Sequence, residues 1–93
     1  MKPTSFLINT SRGLIVNEMA LLGAVRSGGI AGAALDVYSQ EPLPVDHPFR
    51  SEPRIITTPH LGYLTRDNYV TYYEGAIESI LACQNGDLIR VLV

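Results

Sequence analysis

Sulfur and strong charge are scarce in this 93-residue chain. The only cysteine is Cys83, so the sequence has no disulfide framework and no thiolate cluster, and we expect no metal site. Because Cys83 follows the apolar residues 80–82, we predict that it is a small buried side chain. The net charge of −2, with 17% charged residues, gives neither a basic surface for nucleic acid nor an acidic tail.

Long apolar runs are also absent. No stretch approaches the roughly 18 to 20 apolar residues that span a bilayer. Only three strongly apolar residues precede Asn9, which does not resemble a secretion signal. We therefore predict a cytoplasmic protein with neither a membrane nor a nucleic-acid partner. A domain of this length buries only about two thirds of its unfolded surface, so its core is expected to be thin.

Short apolar segments alternate with segments of helical periodicity. Residues 6–8 predict a buried strand that runs into the polar turn of residues 9–13. Residues 30–37 are nearly all small or apolar, which is typical of a strand covered on both faces in a parallel sheet. Residues 55–58 predict a third strand. The sequence therefore predicts an α/β fold with three parallel strands.

Two helices are predicted. Asn17 is a cap residue, Glu18 stands in the first turn and Gly28 is a natural stop, so the first helix has about three turns. From Thr65 to about Gln84, apolar and tyrosine side chains recur every three to four residues, which predicts a long amphipathic helix. Its tyrosines are expected in the core or at a domain interface.

The remaining segments are interpreted as loops and a tail. Residues 41–54 hold four of the six prolines, which excludes a regular helix, and His47 among them is interpreted as surface packing. Residues 88–93 have the composition of a strand but no evident partner. The glycines of residues 28–32 suggest a dinucleotide fingerprint, but that motif must follow a strand and open a helix, whereas these residues precede a strand.

Chemically active side chains follow each predicted strand. Parallel strands end at one edge of a sheet, where open α/β sheets place their chemistry. This edge is expected to hold Arg12, Asp36, Glu41 and His60. A guanidinium can hold a carboxylate through two hydrogen bonds, an imidazole can move a proton, and a neighbouring carboxylate fixes its tautomer and favours its charged form. Such a set suits a small anionic carbonyl compound.

Two of these side chains also have a structural interpretation. A single histidine after a strand is more often a hydrogen-bonded structural residue than a catalyst, so the acid/base role of His60 depends on its neighbours. A buried, unpaired carboxylate costs several kcal/mol, so Asp36 needs a partner such as a ligand amide, a backbone donor or a cation. The residues leave the ligand role and the structural role of Asp36 open.

Four short motifs stand in order along the chain: residues 9–13 (NTSRG), 33–37 (AALDV), 41–42 (EP) and 58–62 (TPHLG). They resemble, at the usual spacing, the motifs of the D-isomer-specific 2-hydroxyacid dehydrogenase family. The resemblance extends over residues 1 to about 85. It implies a partial Rossmann-type parallel sheet, three strands with a crossover helix, plus a long C-terminal helix.

The resemblance also implies a role for each motif. It implies that Arg12 binds the substrate carboxylate and carbonyl, that Glu41 partners the histidine, and that His60 is the acid/base. It implies that the nicotinamide end of NAD or NADP is lined by Thr10, Ser11, Arg12, Asp36, His60, Leu61, Gly62 and Tyr63. The implied reaction interconverts small 2-oxo acids and D-2-hydroxy acids by hydride transfer, and the implied assembly is a homodimer.

Family members also carry a substrate domain and a glycine-rich pyrophosphate loop, which these 93 residues do not contain. The resemblance therefore implies the carboxyl-terminal half of a dinucleotide-binding domain in residues 1–64. Residues 65–93 would be a long helix and tail that return toward the substrate domain. We expect the 93 residues alone to be inactive and to bind cofactor weakly at best.

Two other functions remain open at this level. One is a non-enzymatic, dinucleotide-sensing binding module of the corepressor type, because corepressors that resemble this family keep the site for partner binding. The other is formate oxidation, which is disfavoured because similar enzymes have glutamine at the position of Glu41. The identity of the hydroxy acid and the choice between NAD and NADP depend on parts of the site outside these residues.

Overall fold

The computed structural model describes residues 1–91. The chain forms two compact units, Met1–Gly62 and Tyr63–Val93. The first contains a sheet and the residues predicted for the site from Thr10 to Gly62, and the second contains the long helix. The assignment of residues 1–64 and 65–93 to parts of a larger enzyme stays a prediction.

The first unit is built on three parallel strands. They are β1 (Phe6–Asn9), β2 (Gly32–Leu35) and β3 (Ile55–Thr57), in the order β1-β2-β3. The parallel α/β sheet is thus confirmed. Strand β2 is shorter than the predicted 30–37, because its neighbours offer only four and three residues to pair with it.

Helix α1 (Glu18–Arg26) connects β1 to β2 and begins as the sequence predicts. The Asn17 side chain accepts a hydrogen bond from the Ala20 amide at 2.9 Å, which satisfies a donor of the first turn. After the helix, Gly28 takes a positive φ of 75°, which glycine adopts without steric cost. A 3₁₀ turn at Gly13–Ile15, which was not predicted, joins β1 to this helix.

One apolar core lies on one face of the sheet. It is formed by Leu21, Leu22, Val25, Ile30, Ala33, Leu35, Tyr38, Leu43, Phe49 and Ile55. On the opposite face, Phe6, Ile8 and Ile56 are 67 to 71% exposed. These exposed residues belong to β1 and β3, whereas every residue of the central strand β2 is buried or half-buried, as its composition predicts.

The proline loop contains no α-helix, as predicted, but it forms a 3₁₀ turn at Pro48–Ser51. The amide of Phe49 donates to Nδ1 of His47 at 3.3 Å, and the two rings meet edge to face. The Phe49 side chain is 1% exposed and fills the core. His47 is therefore partly buried support for this turn and not only surface packing.

The second unit contains helix α2 (Arg66–Gln84), whose first turn is capped by the Thr65 hydroxyl. The long helix is confirmed, but none of its residues is buried and its tyrosines are exposed, so core packing by the tyrosines is wrong and a domain interface stays a prediction. Cys83, predicted to be buried, is exposed, as are Ile80 and Leu81 before it, because nothing in the described residues covers this side of the helix.

The tail contains no strand in residues 88–91, and the last two residues of the predicted strand lie outside the described part of the chain. Among the described residues, no helix is both long and apolar enough to cross a membrane.

A close backbone contact joins the segments that follow β1 and β2. A methyl group built on Gly13 would lie 1.9 Å from the Tyr38 carbonyl carbon, so only glycine fits there. Gly13→Ala should therefore lower the free energy of unfolding by about 1 to 3 kcal/mol, the usual cost of overpacking.

Gly23→Ala is the matched control, because nothing lies within 4 Å of the added methyl group in helix α1. It should be neutral or stabilise the chain by up to about 1 kcal/mol, since alanine favours a helix. Urea unfolding of both variants measures the difference. Equal stability of the two variants would mean that the backbone near Gly13 shifts to accept a methyl group without a loss of stability.

Candidate active site

The carboxyl ends of the three parallel strands lie at one edge of the sheet, and each is followed by residues predicted for the site. Residues 10–12 follow β1, residues 36–41 follow β2 and residues 58–62 follow β3. This arrangement places the predicted groups at the edge where α/β sheets bind ligands.

The turn after β1 is shaped by Asn9. Its buried side chain accepts a hydrogen bond from the Ser11 amide at 3.1 Å and donates one to the Arg12 carbonyl at 2.9 Å. Thr10, Ser11 and Arg12 are exposed on this turn, and the Arg12 guanidinium donates to the Ser11 carbonyl at 2.7 Å. A buried amide thus holds an exposed polar turn that carries the predicted anion-binding arginine.

The Asp36 carboxylate is buried and receives three hydrogen bonds from the turn after β3. The donors are the Thr58 hydroxyl and the amides of Leu61, at 2.8 Å, and Gly62, at 2.7 Å. Burial by itself would raise the pKa of Asp36, but these three bonds and the electrostatic interaction with His60 together outweigh it, and the pKa lies below its ordinary value. The partners that the sequence required for this carboxylate therefore include backbone and hydroxyl donors of the protein itself.

The backbone at His60 is held in an uncommon conformation. Its φ is 58°, in the left-handed region, which costs a non-glycine residue about 1 to 2 kcal/mol. The next two amides, of Leu61 and Gly62, both donate to Asp36. These bonds compensate the local strain, because they are made by the residues that follow His60 in this turn.

Glu41 and His60 form the pair that the sequence predicts. Nδ1 of His60 lies 2.7 Å from Oε2 of Glu41, and Oε1 of Glu41 accepts from the Tyr38 amide at 3.0 Å. The hydrogen bond with His60, followed by that from Tyr38, lowers the pKa of Glu41. Glu41 is therefore an acceptor, so Nδ1 carries a proton and Nε2 is the nitrogen whose protonation can change.

Tyr38 joins the ends of two strands beneath this pair. Its hydroxyl lies 2.8 Å from the carbonyl oxygens of both Leu35 and Thr58. Burial raises the pKa of this phenol, which keeps it a donor. The residue also lines a cavity of about 520 Å³ whose wall is completed by Glu41, Pro42, Leu43, Arg50, Thr57, Thr58, Pro59 and His60.

The structure thus joins Glu41 to His60, and Asp36 to Leu61 and Gly62. Arg12 acts on this group through its charge, which contributes to the low pKa of Glu41. The cofactor roles predicted for Thr10, Ser11, Arg12, Asp36, His60, Leu61, Gly62 and Tyr63 stay predictions, as do the catalytic roles of Arg12, Glu41 and His60. Tyr63 begins the second unit, where its carbonyl accepts from the Asn68 side chain at 2.8 Å.

Sequence reasoning missed three supporting residues: Asn9, Tyr38 and Thr58. An asparagine that opens a polar turn is a recognised signal for a side-chain bond to the backbone two residues later, and Asn9 makes that bond. The Tyr38 hydroxyl contacts Thr58 across 20 residues, and the Thr58 hydroxyl contacts Asp36 across 22, so no local pattern reveals these two contacts.

This chain matches a family profile and is similar to named relatives. The family profile described as "D-isomer specific 2-hydroxyacid dehydrogenase, NAD binding domain" matches residues 1–62. A glyoxylate reductase of Thermofilum pendens is 41% identical over 93 residues, which are 100% of this chain and 27% of that protein. The chain therefore spans about a quarter of the length of this curated relative.

Solved structures show the same architecture. The D-lactate dehydrogenase with NAD+ from Lactobacillus jensenii aligns with a TM-score of 0.82 and 30% identity, over 100% of this chain and 32% of that one. The D-isomer specific 2-hydroxyacid dehydrogenase from Xanthobacter autotrophicus Py2, in complex with NADPH and MES, aligns with a TM-score of 0.70 and 35% identity, over 100% of this chain and 38% of that one.

The hydrogen bonds to Asp36 predict an acid-dependent loss of stability. Because its pKa is lowered in the folded state, Asp36 contributes stability above its unfolded pKa, and this contribution disappears as the pH falls through the folded value. Asp36→Asn replaces one acceptor oxygen by a donor and should cost about 1 to 3 kcal/mol at neutral pH. The difference from the parent should shrink in acid.

Urea unfolding of parent and variant between neutral and strongly acidic pH measures this effect. Asp46→Asn, at an exposed aspartate of the proline loop, should change stability by less than about 0.5 kcal/mol throughout. A cost at Asp36 that stays constant down to acid pH would contradict a stabilising charge on this carboxylate.

Proposed function

Because this chain belongs to the D-isomer-specific 2-hydroxyacid dehydrogenase family, within its NAD-binding domain, we propose that the intact protein is an NAD- or NADP-dependent oxidoreductase. Its reaction would interconvert a small 2-oxo acid and the D-2-hydroxy acid. In the direction of reduction, a hydride and a proton are added across the carbonyl group, so that a 2-oxo acid, NAD(P)H and a proton give the hydroxy acid and NAD(P)⁺.

The contact between His60 and Glu41 is the observation that carries this proposal. Oε2 of Glu41 lies 2.7 Å from Nδ1 of His60 and orients the imidazole ring. His60 can then donate the Nε2 proton to the carbonyl oxygen during reduction and remove it from the hydroxyl group during oxidation. A histidine oriented by a carboxylate suits this reversible proton transfer better than an exposed histidine without one.

Arg12 is the proposed clamp for the substrate carboxylate. Its guanidinium is exposed on the turn that follows β1, where it can offer two parallel hydrogen bonds to an anion. The same positive charge lowers the pKa of Glu41, so Arg12 and the His60 pair act on one region of space. This combination orients a 2-oxo acid by its carboxylate and activates it at its carbonyl group.

The residues at this edge fit the nicotinamide end of a dinucleotide. The exposed polar turn of residues 10–12 and the turn of residues 60–62 flank the carboxyl ends of parallel strands, which is the ordinary position of a dinucleotide in such sheets. When bound, the cofactor supplies or accepts the hydride. The D-lactate dehydrogenase and the Xanthobacter enzyme carry NAD+ and NADPH respectively, which supports either cofactor here.

The substrate and the assembly belong to the same proposal. Glyoxylate is the favoured first substrate to test, because the Thermofilum pendens relative is named glyoxylate reductase. A homodimer, which the family resemblance implies, and a cytoplasmic location, which the sequence predicts, are part of this proposal. Cofactor binding without turnover of any 2-oxo acid would instead favour a corepressor-type binding module.

The first test separates the roles of His60 and Glu41 by pH. Reduction requires protonated His60, so Glu41→Gln, which removes the charge that favours the imidazolium, should move the basic limb of reduction to lower pH. Oxidation at low pH should improve relative to the parent. His60→Ala should lower the chemical step in both directions by roughly 10² to 10⁴.

The measurement is kcat/KM against pH in both directions for the intact protein. Identical limbs in parent and Glu41→Gln would show that Glu41 does not tune His60. Turnover by His60→Ala near that of the parent would remove His60 from the mechanism.

The second test concerns Arg12. Arg12→Lys keeps the positive charge but loses the two-pronged contact, and should cost about 2 to 3 kcal/mol of substrate recognition, or roughly 30- to 150-fold in kcat/KM. Cofactor affinity should change much less. Arg26→Lys, at a guanidinium that contacts Glu52 instead, is the control and should leave kinetics unchanged. Kinetics of Arg12→Lys within about threefold of the parent would exclude Arg12 as the clamp.

A further inference from the structure

Glu18 contacts both ends of the chain segment that carries Glu41. Its Oε1 accepts a hydrogen bond from the Ser39 amide at 2.8 Å, and its Oε2 accepts one from the Ser39 hydroxyl at 2.7 Å. The same Oε2 lies 3.6 Å from Nε2 of His47. Ser39 precedes Glu41 by two residues and His47 follows it by six, so one carboxylate closes the loop of residues 39–47.

The His47 side of this closure is also fixed. Nδ1 of His47 accepts a hydrogen bond from the Phe49 amide, so a neutral ring carries its proton on Nε2, toward Glu18. The ring also packs against the buried Phe49. The side chains of Glu18 and His47 are 17% and 18% exposed, which limits competition from water for these contacts.

Glu41 depends on such support because its own side chain is not packed in the core. It is 36% exposed, and its contacts are the Tyr38 amide on one oxygen and His60 on the other. Tyr38 is the residue directly before Ser39. The hydrogen bonds from Ser39 to Glu18 therefore hold the backbone whose Tyr38 amide donates to Glu41. Arg12 is a further charge that acts on Glu41.

We propose that Glu18, at the start of α1, is a positioning residue for the Glu41–His60 pair and acts through Ser39 and His47. This proposal rests on the proposed oxidoreductase function for its kinetic readout. The contacts of Glu18 are with Ser39 and His47, and through them it fixes the position of the Glu41 side chain. A carboxylate suits this position, because the first turn of a helix favours negative charge and Ser39 presents two donors that need two acceptor oxygens.

The test is Glu18→Gln in the intact protein, alone and combined with Glu41→Gln. Glutamine keeps the size of Glu18 but offers a single acceptor oxygen, so the Ser39 amide and Nε2–H of His47 no longer both face an acceptor. The basic limb of 2-oxo acid reduction should move to lower pH, in the direction given by Glu41→Gln. On the Glu41→Gln background, Glu18→Gln should add no further shift, because residues that act through one contact are not additive.

Glu52→Gln is the matched control. Glu52 also ties separate segments, through Arg26 and Arg54, but it makes none of the contacts to Ser39 or His47. Glu52→Gln should lower the melting temperature without moving the pH limb. The proposal is overturned if Glu18→Gln leaves the limb of the parent in place, or shifts it equally on both backgrounds, because its effect is then independent of Glu41.

A second readout does not require turnover. Titration of the Glu41 carboxyl carbon by NMR should show its pKa rising toward the ordinary value in Glu18→Gln, because the hydrogen bonds from His60 and Tyr38 that lower it are weakened. An unchanged titration in the folded variant would overturn the positioning role. Absence of 2-oxo acid turnover in the parent would instead overturn the proposed function, while this titration still decides the role of Glu18.

Discussion

The Asp36 carboxylate is the constraint on which the geometry of the candidate site depends. A carboxylate at this depth costs free energy unless donors satisfy it, and the turn after β3 supplies three. The requirement works in both directions. The carboxylate stays charged because the turn surrounds it, and the turn keeps the left-handed backbone of His60 because the carboxylate holds its amides.

Two acidic side chains, Asp36 and Glu41, therefore orient different parts of His60. Asp36 fixes the main chain around His60, whereas Glu41 fixes the ring through Nδ1. Asp36 is buried and Glu41 is exposed, which matches these tasks: a buried anchor is rigid, and the exposed carboxylate lines the cavity of about 520 Å³ beside His60. Tyr38 links the strand ends to Glu41: its hydroxyl lies within hydrogen-bond distance of the Leu35 and Thr58 carbonyls, and its amide donates to Glu41.

The sequence predicts the parts of this molecule that follow from local patterns. Apolar segments located the three strands, the Asn17 cap located α1, and strand direction placed Glu41 near His60. Contacts between residues far apart in the sequence were not predicted, including the contact between Glu18 and Ser39, which are 21 residues apart. The exposure of Cys83 was predicted wrongly because apolar periodicity indicates a helix but not what covers it. The left-handed φ of His60 has only a weak signal in its residue type, because few non-glycine residues adopt it although histidine is among those enriched there.

The close approach of Gly13 to Tyr38 restricts how this site can evolve. The two segments carry Arg12 on one side and Glu41 on the other, and they touch where no side chain fits. A change at position 13 is tolerated only after the backbone at positions 38–39 has shifted, and such a shift would disturb the amide that holds Glu41. Substitutions at position 13 and changes in the backbone at positions 38–39 should therefore be non-additive in their effects on stability and on the placement of Glu41.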